Sequence, residues 1–349
     1  MKILHAADLH LDTPFTGHSE EAVRYLKKAL LQVPEMIAGL CKTHNCDLLL
    51  LSGDLFDGPV SRESVDTLKN ALEAAGIPTF ITPGNHDFCE AGSPYLTEVW
   101  PSNVHIFTHP VMESLSLPDL NCRVYGAGFL SMDCLPLLEN FRAEGNERYH
   151  IGVVHGDPLQ KNSTYNPITQ AQIADSALDY LALGHIHKSG SFTAGSTLCA
   201  WPGCPMGRGN DETGEKGVYL VTLEDTPSIK FIPLDTPRFY DLEAEVLTTP
   251  QEAVRSLLPP VADRNFYRIT LTGECEPFSD LGFSQFPYLQ IRDRTVPPAD
   301  LWASIGDDSL EGLYFKKLHE ALQTNDPDMV MLAAKISRKI LDGREVKLP

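Results

Sequence analysis

The sequence predicts an α/β protein in which a β-rich first domain is followed by a small α+β module. Short apolar runs bounded by turn residues alternate with longer stretches of helical spacing in the first part of the chain. After about residue 188 such runs continue without long helices, and two helical stretches come last. Because a single core rarely extends beyond ~250–300 residues, the 349 residues predict two domains, 1–236 and 237–349, with the boundary beside Pro237.

The elements of the first domain follow from the spacing of its apolar residues. Helices are predicted over about 19–44, with a stop or kink before Pro34, and over 61–75, which opens at Ser61. Buried strands are predicted at 2–7, 47–52, 77–82, 122–127, 149–155 and 179–184, followed by strands of a second sheet at 191–195, 196–201, 217–224 and 228–234.

The second domain mixes short helices and strands, which we interpret as a small α+β module that ends in helices. A helix is predicted over about 250–257, strands over 265–272 and 287–292, and longer helices over 308–323 and 327–342.

The composition is that of a folded globular protein, with 42% hydrophobic and 21% charged residues. Apolar stretches such as 48–51 are much shorter than the ~18–20 residues of a membrane span. The N-terminal sequence MKILHAADLHLD lacks the apolar core of an export signal. The eight cysteines form no CxxC pair, which argues against a zinc ribbon or a thioredoxin motif. We therefore expect reduced thiols and a cytoplasmic protein.

Polar motifs lie at or just past the carboxyl ends of five predicted strands. Each motif alone is typical of a turn or of buried packing, but five of them in succession are hard to explain in that way. In open α/β sheets ligands bind outside the carboxyl ends of the strands, so we expect the five to converge. They are DLH (Asp8, His10), GDLFD (Asp54, Asp57), GNHD (Asn85, His86, Asp87), HGD (His155) and GHIH (His185, His187).

The chemistry that needs this set is a dinuclear metal centre. Two divalent ions ~3.5–4 Å apart clamp a phosphoryl group and activate a water for in-line displacement. Mixed carboxylate, amide and imidazole ligands suit manganese, iron or zinc, whereas an all-oxygen shell would suit magnesium or calcium. Since no thiolate is among the candidate ligands, a structural zinc site is excluded.

At these residues the sequence resembles the calcineurin-like metallophosphoesterases, whose motifs are DxH, GDxxD, GNH[DE], a later His, and GHxH. The resemblance covers residues 3–187 and implies a β-sandwich flanked by helices. It also implies one metal bound by Asp8, His10 and His187, a second bound by Asn85, His155 and His185, and Asp54 as a bridge.

The resemblance implies that His86 protonates or stabilises the leaving oxygen. It also implies that Asp57 orients the His86 ring and favours its charged form. The pairing is also reasonable from physical chemistry, because a carboxylate beside a histidine raises the pKa of the ring and lets it supply a proton near neutral pH. Asp87 is interpreted either as an orienting residue or as a cap of its own turn. Some family members carry His in place of Asp57, which leaves the strength of any exonuclease activity open.

The segments 3–15 and 201–221 are similar to DNA-repair exonucleases of the SbcD and YhaO type. The resemblance implies that 237–349 is a small capping domain with C-terminal helices. This resemblance implies manganese-dependent hydrolysis of DNA phosphodiesters, by exonuclease and endonuclease action, together with an SMC-like ATPase of the SbcC or YhaN kind. The net charge of −19 is unfavourable for DNA binding. We therefore expect weak DNA binding by the isolated chain, with the metals, a homodimer cleft and the ATPase supplying the rest.

Two alternatives remain open from the sequence. The same metal site would serve a small-molecule or cyclic-nucleotide phosphodiesterase or a nucleotidase, which the acidic composition suits equally well. A non-catalytic adaptor that uses the terminal helices to hold a coiled coil is the third interpretation, and the complete ligand set argues against it.

Overall fold

The structure, a computed structural model, describes residues 1–296, 298 and 300–343. Residues 344–349, which end the second predicted domain, lie outside this description. The strands are β1 (Lys2–Ala6), β2 (Leu48–Ser52), β3 (Thr79–Thr82), β4 (Val104–Ile106), β5 (Glu113–Leu117), β6 (Cys122–Gly126), β7 (Tyr149–His155), β8 (Tyr180–Gly184), β9 (Gly190–Ala194), β10 (Thr197–Trp201), β11 (Gly217–Thr222), β12 (Ser228–Pro233), β13 (Phe239–Val246), β14 (Phe266–Gly273) and β15 (Leu289–Asp293). The helices are α1 (Glu20–His44), α2 (Arg62–Ala75), α3 (Pro94–Thr97), α4 (Gln170–Asp175), α5 (Pro250–Leu257), α6 (Leu310–Ala321) and α7 (Pro327–Leu341), with 3-10 turns at Pro118–Leu120 and Ala303–Gly306.

Two six-stranded mixed sheets build the first compact unit, which comprises residues 1–241 and 264–268. Their strand orders are β12-β11-β1-β2-β3-β4 and β5-β6-β7-β8-β10-β9. Strands β1 to β4 run parallel to one another, as do β6, β7, β8 and β10. The parallel strands place their carboxyl ends at one edge of each sheet, as the motif analysis required.

The runs after residue 188 do not all join the same sheet, which corrects the expectation that they would. β9 and β10 extend the second sheet, whereas β11 pairs antiparallel with β1 in the first sheet and β12 pairs with β11. β11 can do so because the side of β1 away from β2 would otherwise leave its backbone groups unpaired.

Side chains from both sheets form one buried cluster between them. Leu50 of β2, Val153 of β7 and Ala182 of β8 have no exposed surface within it. Burial of a large apolar side chain contributes ~1.5–3 kcal/mol, so this layer holds the sandwich together. The α/β fold class and its β-sandwich are therefore confirmed.

Helix α1 is continuous through Pro34, so the expected stop at that residue is wrong. The side chain of Ser19 accepts a hydrogen bond from the Ala22 N–H at its start, and Asn45 at φ 51° ends it. Pro34 is itself buried, and the buried face of α1 continues on both sides of it. Tertiary packing of that face outweighs the lost backbone hydrogen bond.

Helix α2 begins after Ser61, as predicted, and ends at Gly76. It packs on α1 through a small apolar cluster of Ala38, Ala71 and Ala75. Strands β4 and β5 were not predicted, because β4 is only three residues long and β5 has the polar, partly exposed sequence ESLSL.

The second compact unit comprises residues 242–263 and the described residues from 269 onward. Its helices α5, α6 and α7 lie where the sequence predicts them, and Leu301, Phe315 and Ala334 form its apolar cluster. A third sheet has the order β13-β14-β15. The division into domains 1–236 and 237–349 stays a prediction.

The helices and cysteines of the described residues also bear on the expectations from the sequence. None of their helices combines the length and apolar character needed to cross a membrane. All eight cysteines are free thiols, as expected from their spacing.

A buried polar network links the two sheets through His5 of β1, which has no exposed surface. Its Nδ1 lies 2.7 Å from the Tyr180 hydroxyl, and its Nε2 lies 2.7 Å from the Ser52 hydroxyl. Burial lowers the pKa of His5 to about 3. The ring is therefore neutral in the folded protein over the whole physiological range.

This burial predicts a specific pH dependence of stability. In the unfolded chain His5 takes up a proton near pH 6.5, whereas in the folded chain it does so only near pH 3. The unfolded state therefore binds more protons between these values, and the free energy of unfolding falls as the pH drops through this window. His5→Gln removes this titrating group. The difference in the free energy of unfolding between the parent and the variant should therefore shrink by about 1 kcal/mol as the pH falls from 7.5 to 5.5.

Urea denaturation at the two pH values measures this difference. Tyr180→Phe keeps the titrating ring and serves as the control, since its difference from the parent should not shrink in the same way. A difference for His5→Gln that stays constant with pH would contradict the prediction.

Candidate metal centre

The structure brings all nine predicted site residues to one edge of the sandwich. They lie on loops at the carboxyl ends of β1, β2, β3, β7 and β8, so both sheets contribute. These residues are Asp8 and His10 after β1, Asp54 and Asp57 after β2, Asn85 and His86 after β3, His155 at the end of β7, and His185 and His187 after β8.

One group of candidate ligands consists of Asp8, His10, Asp54 and His187, and each offers one atom within 4.8 Å of all the others. The Nε2 atoms of His10 and His187 are 3.2 Å apart, and His10 Nε2 is 3.7 Å from Asp54 Oδ2. Asp8, His10 and Asp54 are almost completely buried. This is the set that the family resemblance implied for one metal together with the bridging carboxylate.

The second group is centred on Asn85. Its Oδ1 lies 2.9 Å from His155 Nε2 and 3.1 Å from His185 Nδ1. His155 Nε2 is also 3.4 Å from Asp54 Oδ2. Asp54 therefore contacts both groups, which is the geometry that a bridging carboxylate requires.

The donor set fits a pair of divalent cations. Two imidazole nitrogens face each other at 3.2 Å in the first group. In the second, His155 Nδ1 lies 3.0 Å from the Ser52 carbonyl oxygen, to which it can donate, and its Nε2 then faces two oxygen atoms. Such facing acceptors are costly when buried unless a proton or a cation lies between them. The buried Nδ1 of His10 also has no hydrogen-bond partner.

The pKa values of the ring nitrogens support the same assignment. Burial lowers the pKa of His10 to about 3 and that of His185 to about 4, so both rings are neutral and offer a lone pair. Burial also disfavours the charged form of His155, but the charge of Asp54 outweighs it and raises the pKa to about 9. For Asp54, whose own burial acts the other way, His155 holds the pKa well below its usual range.

Several ligand residues have an unusual backbone conformation. Asp8, His10, Asp54 and His185 have φ angles of 53°, 48°, 53° and 93°. Left-handed conformations of residues other than glycine cost of order 1–3 kcal/mol each and concentrate at functional sites. The structure around these loops must therefore hold them in place.

Backbone N–H groups from neighbouring loops aim the carboxylates. The N–H of His86 donates to Asp54 Oδ1 at 2.9 Å, and the N–H of His185 donates to Asp8 Oδ1 at 2.9 Å. Each contact joins a carboxylate of one loop to the ligand loop of another. The geometry of the groups is thus fixed by the backbone.

Asp87 joins the loops that follow β2 and β3. Its carboxylate accepts hydrogen bonds from the N–H groups of Leu55 and Gly84, both at 2.6 Å, and from the Tyr95 hydroxyl at 2.5 Å. It therefore caps its own turn and also orients the loop that carries Asp54. Burial, followed by the charge of Asp54, raises the pKa of Asp87 to about 6.

His86 lies at the accessible rim of the site, with 42% of its side chain exposed. Its Nδ1 is 3.1 Å from Asp57 Oδ1, and the Thr13 hydroxyl donates to Asp57 Oδ2 at 3.1 Å. The hydrogen bond with Asp57 raises the pKa of His86. The opposite ring nitrogen, Nε2, points away from Asp57.

The sequence analysis did not identify the residues that contact the candidate ligands on the side away from the other ligands. Glu212 Oε1 is 2.7 Å from His187 Nδ1, and the Asn166 amide donates to the His155 carbonyl at 2.7 Å. Asp157 Oδ2 lies 4.0 Å from His185 Nε2. Glu212 belongs to the glycine-rich segment 201–221, where no periodicity or motif distinguishes it from the neighbouring acidic residues.

Comparison with known proteins agrees with this geometry. Residues 1–189 match the family model described as calcineurin-like phosphoesterase. The chain is 35% identical over 235 residues to the "Uncharacterized metallophosphoesterase YhaO" of Bacillus subtilis (strain 168), which covers 63% of this chain and 57% of that protein.

Two further relatives are more distant. The SbcD component of the nuclease SbcCD from the same organism is 23% identical over 268 residues, covering 63% of this chain and 66% of that protein. The "Probable exonuclease subunit 1" of Escherichia phage T5 is 22% identical over 342 residues, covering 96% of this chain and 98% of that protein. The two Bacillus proteins are thus matched over less than two thirds of their own length.

The position of Asp54 between the two groups predicts the effect of its substitution. Asp54→Asn keeps the shape of the side chain but removes the charge shared by both groups. We expect binding of Mn²⁺ to weaken by more than the ~10–100-fold that is typical for a residue that only supports a ligand.

Elemental analysis after equilibrium dialysis against Mn²⁺ measures the loss. Asp225→Asn, on an exposed side chain of the same unit, is the matched control and should bind as the parent does. Full metal content in Asp54→Asn would show that Asp54 is not a bridge.

Proposed function

The chain belongs to the calcineurin-like phosphoesterase family, and on this premise we propose that it hydrolyses phosphodiester bonds of DNA. The single observation that carries the catalytic part is Asp54 in contact with two groups of ligands, beside a rim histidine paired with a carboxylate. The DNA part is supported by the similarity to two proteins named as a component of a nuclease and as a probable exonuclease subunit. We therefore propose an exonuclease and endonuclease of the SbcD and YhaO type that acts in DNA repair.

The proposed ligand sets follow the two groups. Asp8, His10 and His187 would hold one ion, and Asn85, His155 and His185 the other, with Asp54 shared. This family uses a dinuclear metal site, and the mixed ligand set favours manganese, with iron or zinc as alternatives. When bound, the two ions would lower the pKa of the attacking water and offset charge on the phosphoryl oxygens.

The protein's own residues position the proton that the reaction needs. We propose that His86, held through Nδ1 by Asp57, donates the proton on Nε2 to the leaving oxygen. Asp57 keeps the ring protonated and correctly turned, and Thr13 fixes the second oxygen of Asp57. The exposure of His86 gives a phosphodiester access to this proton, while the buried carboxylates behind it are shielded from water.

His86→Ala should separate catalysis from metal binding. We expect the variant to keep both metals and to lose at least ~10²-fold in turnover, which is the usual contribution of a general acid. His109→Ala is the matched control, because His109 also pairs with a carboxylate, Glu113, at 3.1 Å but is not among the candidate site residues.

Turnover of bis-p-nitrophenyl phosphate and metal content are measured on the same preparations. A variant that cleaves as fast as the parent would remove His86 from the mechanism. Loss of metal in parallel with activity would instead make His86 a supporting residue of the centre.

We propose that DNA binding depends on more than this chain. With a net charge of −19 the surface repels a polynucleotide, so the metals, a homodimer cleft and an SMC-like ATPase of the SbcC or YhaN kind would supply the binding energy. A cytoplasmic location fits this role. Nanomolar binding of duplex DNA by the purified chain, unchanged by salt, would contradict this part of the proposal.

The acidic composition also favours a second candidate, a phosphodiesterase for small molecules or cyclic nucleotides. Labelled hairpin DNA and single-stranded DNA, each with Mn²⁺, are compared with bis-p-nitrophenyl phosphate and 2′,3′-cyclic nucleotides. Cleavage of the DNA substrates, abolished in Asp54→Asn, is the expected result. Hydrolysis of the small esters with the DNA left intact would favour the second candidate.

A further inference from the structure

A buried ion pair lies directly behind His187. Glu212, with 7% of its surface exposed, accepts through Oε1 from Arg208 Nη2 at 2.7 Å and contacts His187 Nδ1 at the same distance. Its Oε2 accepts from the backbone N–H of Arg208 at 2.8 Å. Both oxygens are thus engaged, and the carboxylate has little freedom to turn.

This contact determines which nitrogen of His187 carries the proton. Arg208 can only donate, and it donates to both oxygens of Glu212, to Oε1 through Nη2 at 2.7 Å and to Oε2 through Nε at 3.2 Å, so the carboxylate is held as an acceptor. His187 Nδ1 lies 2.7 Å from Glu212 Oε1 and 2.9 Å from Arg208 Nη2. Because the shorter contact is to an oxygen that can only accept, we assign the ring proton to Nδ1. The lone pair is then on Nε2, which faces His10 Nε2 at 3.2 Å.

The arrangement is specific to one of the two ligand groups. In the other group, His155 Nδ1 contacts a backbone carbonyl at 3.0 Å, and His185 Nε2 is 4.0 Å from Asp157. Each candidate ligand histidine has one ring nitrogen that points away from the other ligands. Within the described residues, only that of His187 has a carboxylate oxygen within 3 Å. A change in Glu212 should therefore affect the two metal positions unequally.

Arg208 is what allows Glu212 to remain charged at this depth. A buried carboxylate without a partner costs several kcal/mol, and the guanidinium supplies the opposite charge through Nε and Nη2. Its Nη1 is also 3.5 Å from Asp57 Oδ2. Arg208 thus connects the support of His187 with the carboxylate that orients His86.

We infer that Glu212, clamped by Arg208, is a positioning residue that fixes His187 with Nε2 directed at Asp8 and His10. It thereby determines how tightly that one metal position holds its ion. The inference rests on the dinuclear site of the proposed function, but it does not depend on which phosphodiester is cleaved.

Glu212→Gln tests this directly, since the amide keeps the volume and loses the charge. We expect one of the two Mn²⁺ binding steps to weaken ~10–100-fold in equilibrium dialysis, as is typical when the partner of a metal-bound histidine is removed. The other step should stay unchanged. At an Mn²⁺ concentration that fills both positions of the parent but only one of the variant, the parent should give the electron paramagnetic resonance spectrum of a coupled pair. Glu212→Gln should give that of a single ion.

Glu147→Gln is the matched control, because Glu147 is also paired with an arginine, Arg123, at 2.8 Å in the same unit but contacts no candidate ligand. Both binding steps of this variant should match those of the parent. Arg208→Lys, which retains the positive charge, should restore part of the affinity that Arg208→Ala loses.

A purely structural role gives a different result. Glu212→Gln would then lower the unfolding temperature of the metal-free protein and leave both binding steps unchanged, which would overturn the inference. Equal weakening of both steps would overturn it as well. A parent that binds two ions but cleaves only small esters would refute the DNA proposal and leave this inference standing.

Discussion

The rest of the site depends on the hydrogen bonds that the Asp87 carboxylate accepts. Its oxygens accept hydrogen bonds from Leu55 in one loop and Gly84 in the next, so the loops after β2 and β3 cannot separate. Hydrogen bonds to a charged group contribute ~1.5–3 kcal/mol each, enough to hold the left-handed conformation of Asp54. In that conformation the side chain of Asp54 contacts both groups of ligands.

Much of the site could be predicted from the sequence because parallel strands bring their carboxyl ends together. A motif after each strand therefore specifies a position in space without any knowledge of the loops. The contact between Glu212 and His187 could not be predicted in this way, since it joins two irregular loops that share no periodicity. For the same reason nothing in the pattern of residues indicated that β11 would pair with β1, because a strand's partner is not encoded in its own residues.

The net charge of the whole protein and the local charge at the candidate site act on a bound phosphate over different distances. Burying Asp8 and Asp54 together is unfavourable without compensation, and in the absence of metal the raised pKa of His155 supplies one compensating proton. Divalent cations would supply more charge at the same place. A strongly acidic surface and a centre that attracts phosphate can therefore coexist, because the attraction acts only within a few ångströms of the ligands while the repulsion is screened by salt.

The candidate metal centre also lies where the two sheets meet, so a cation bound there would couple ligand binding to the fold. One group combines His10 from the first sheet with His187 from the second. The sheets approach closely at this edge, since a Cβ on Gly184 would lie 2.0 Å from the Ser52 carbonyl oxygen. A cation held by both sheets resists their separation, and binding that is confined to the folded state adds to the free energy of unfolding. Glycine at this position thus permits the close approach that brings the candidate ligands of the two sheets together.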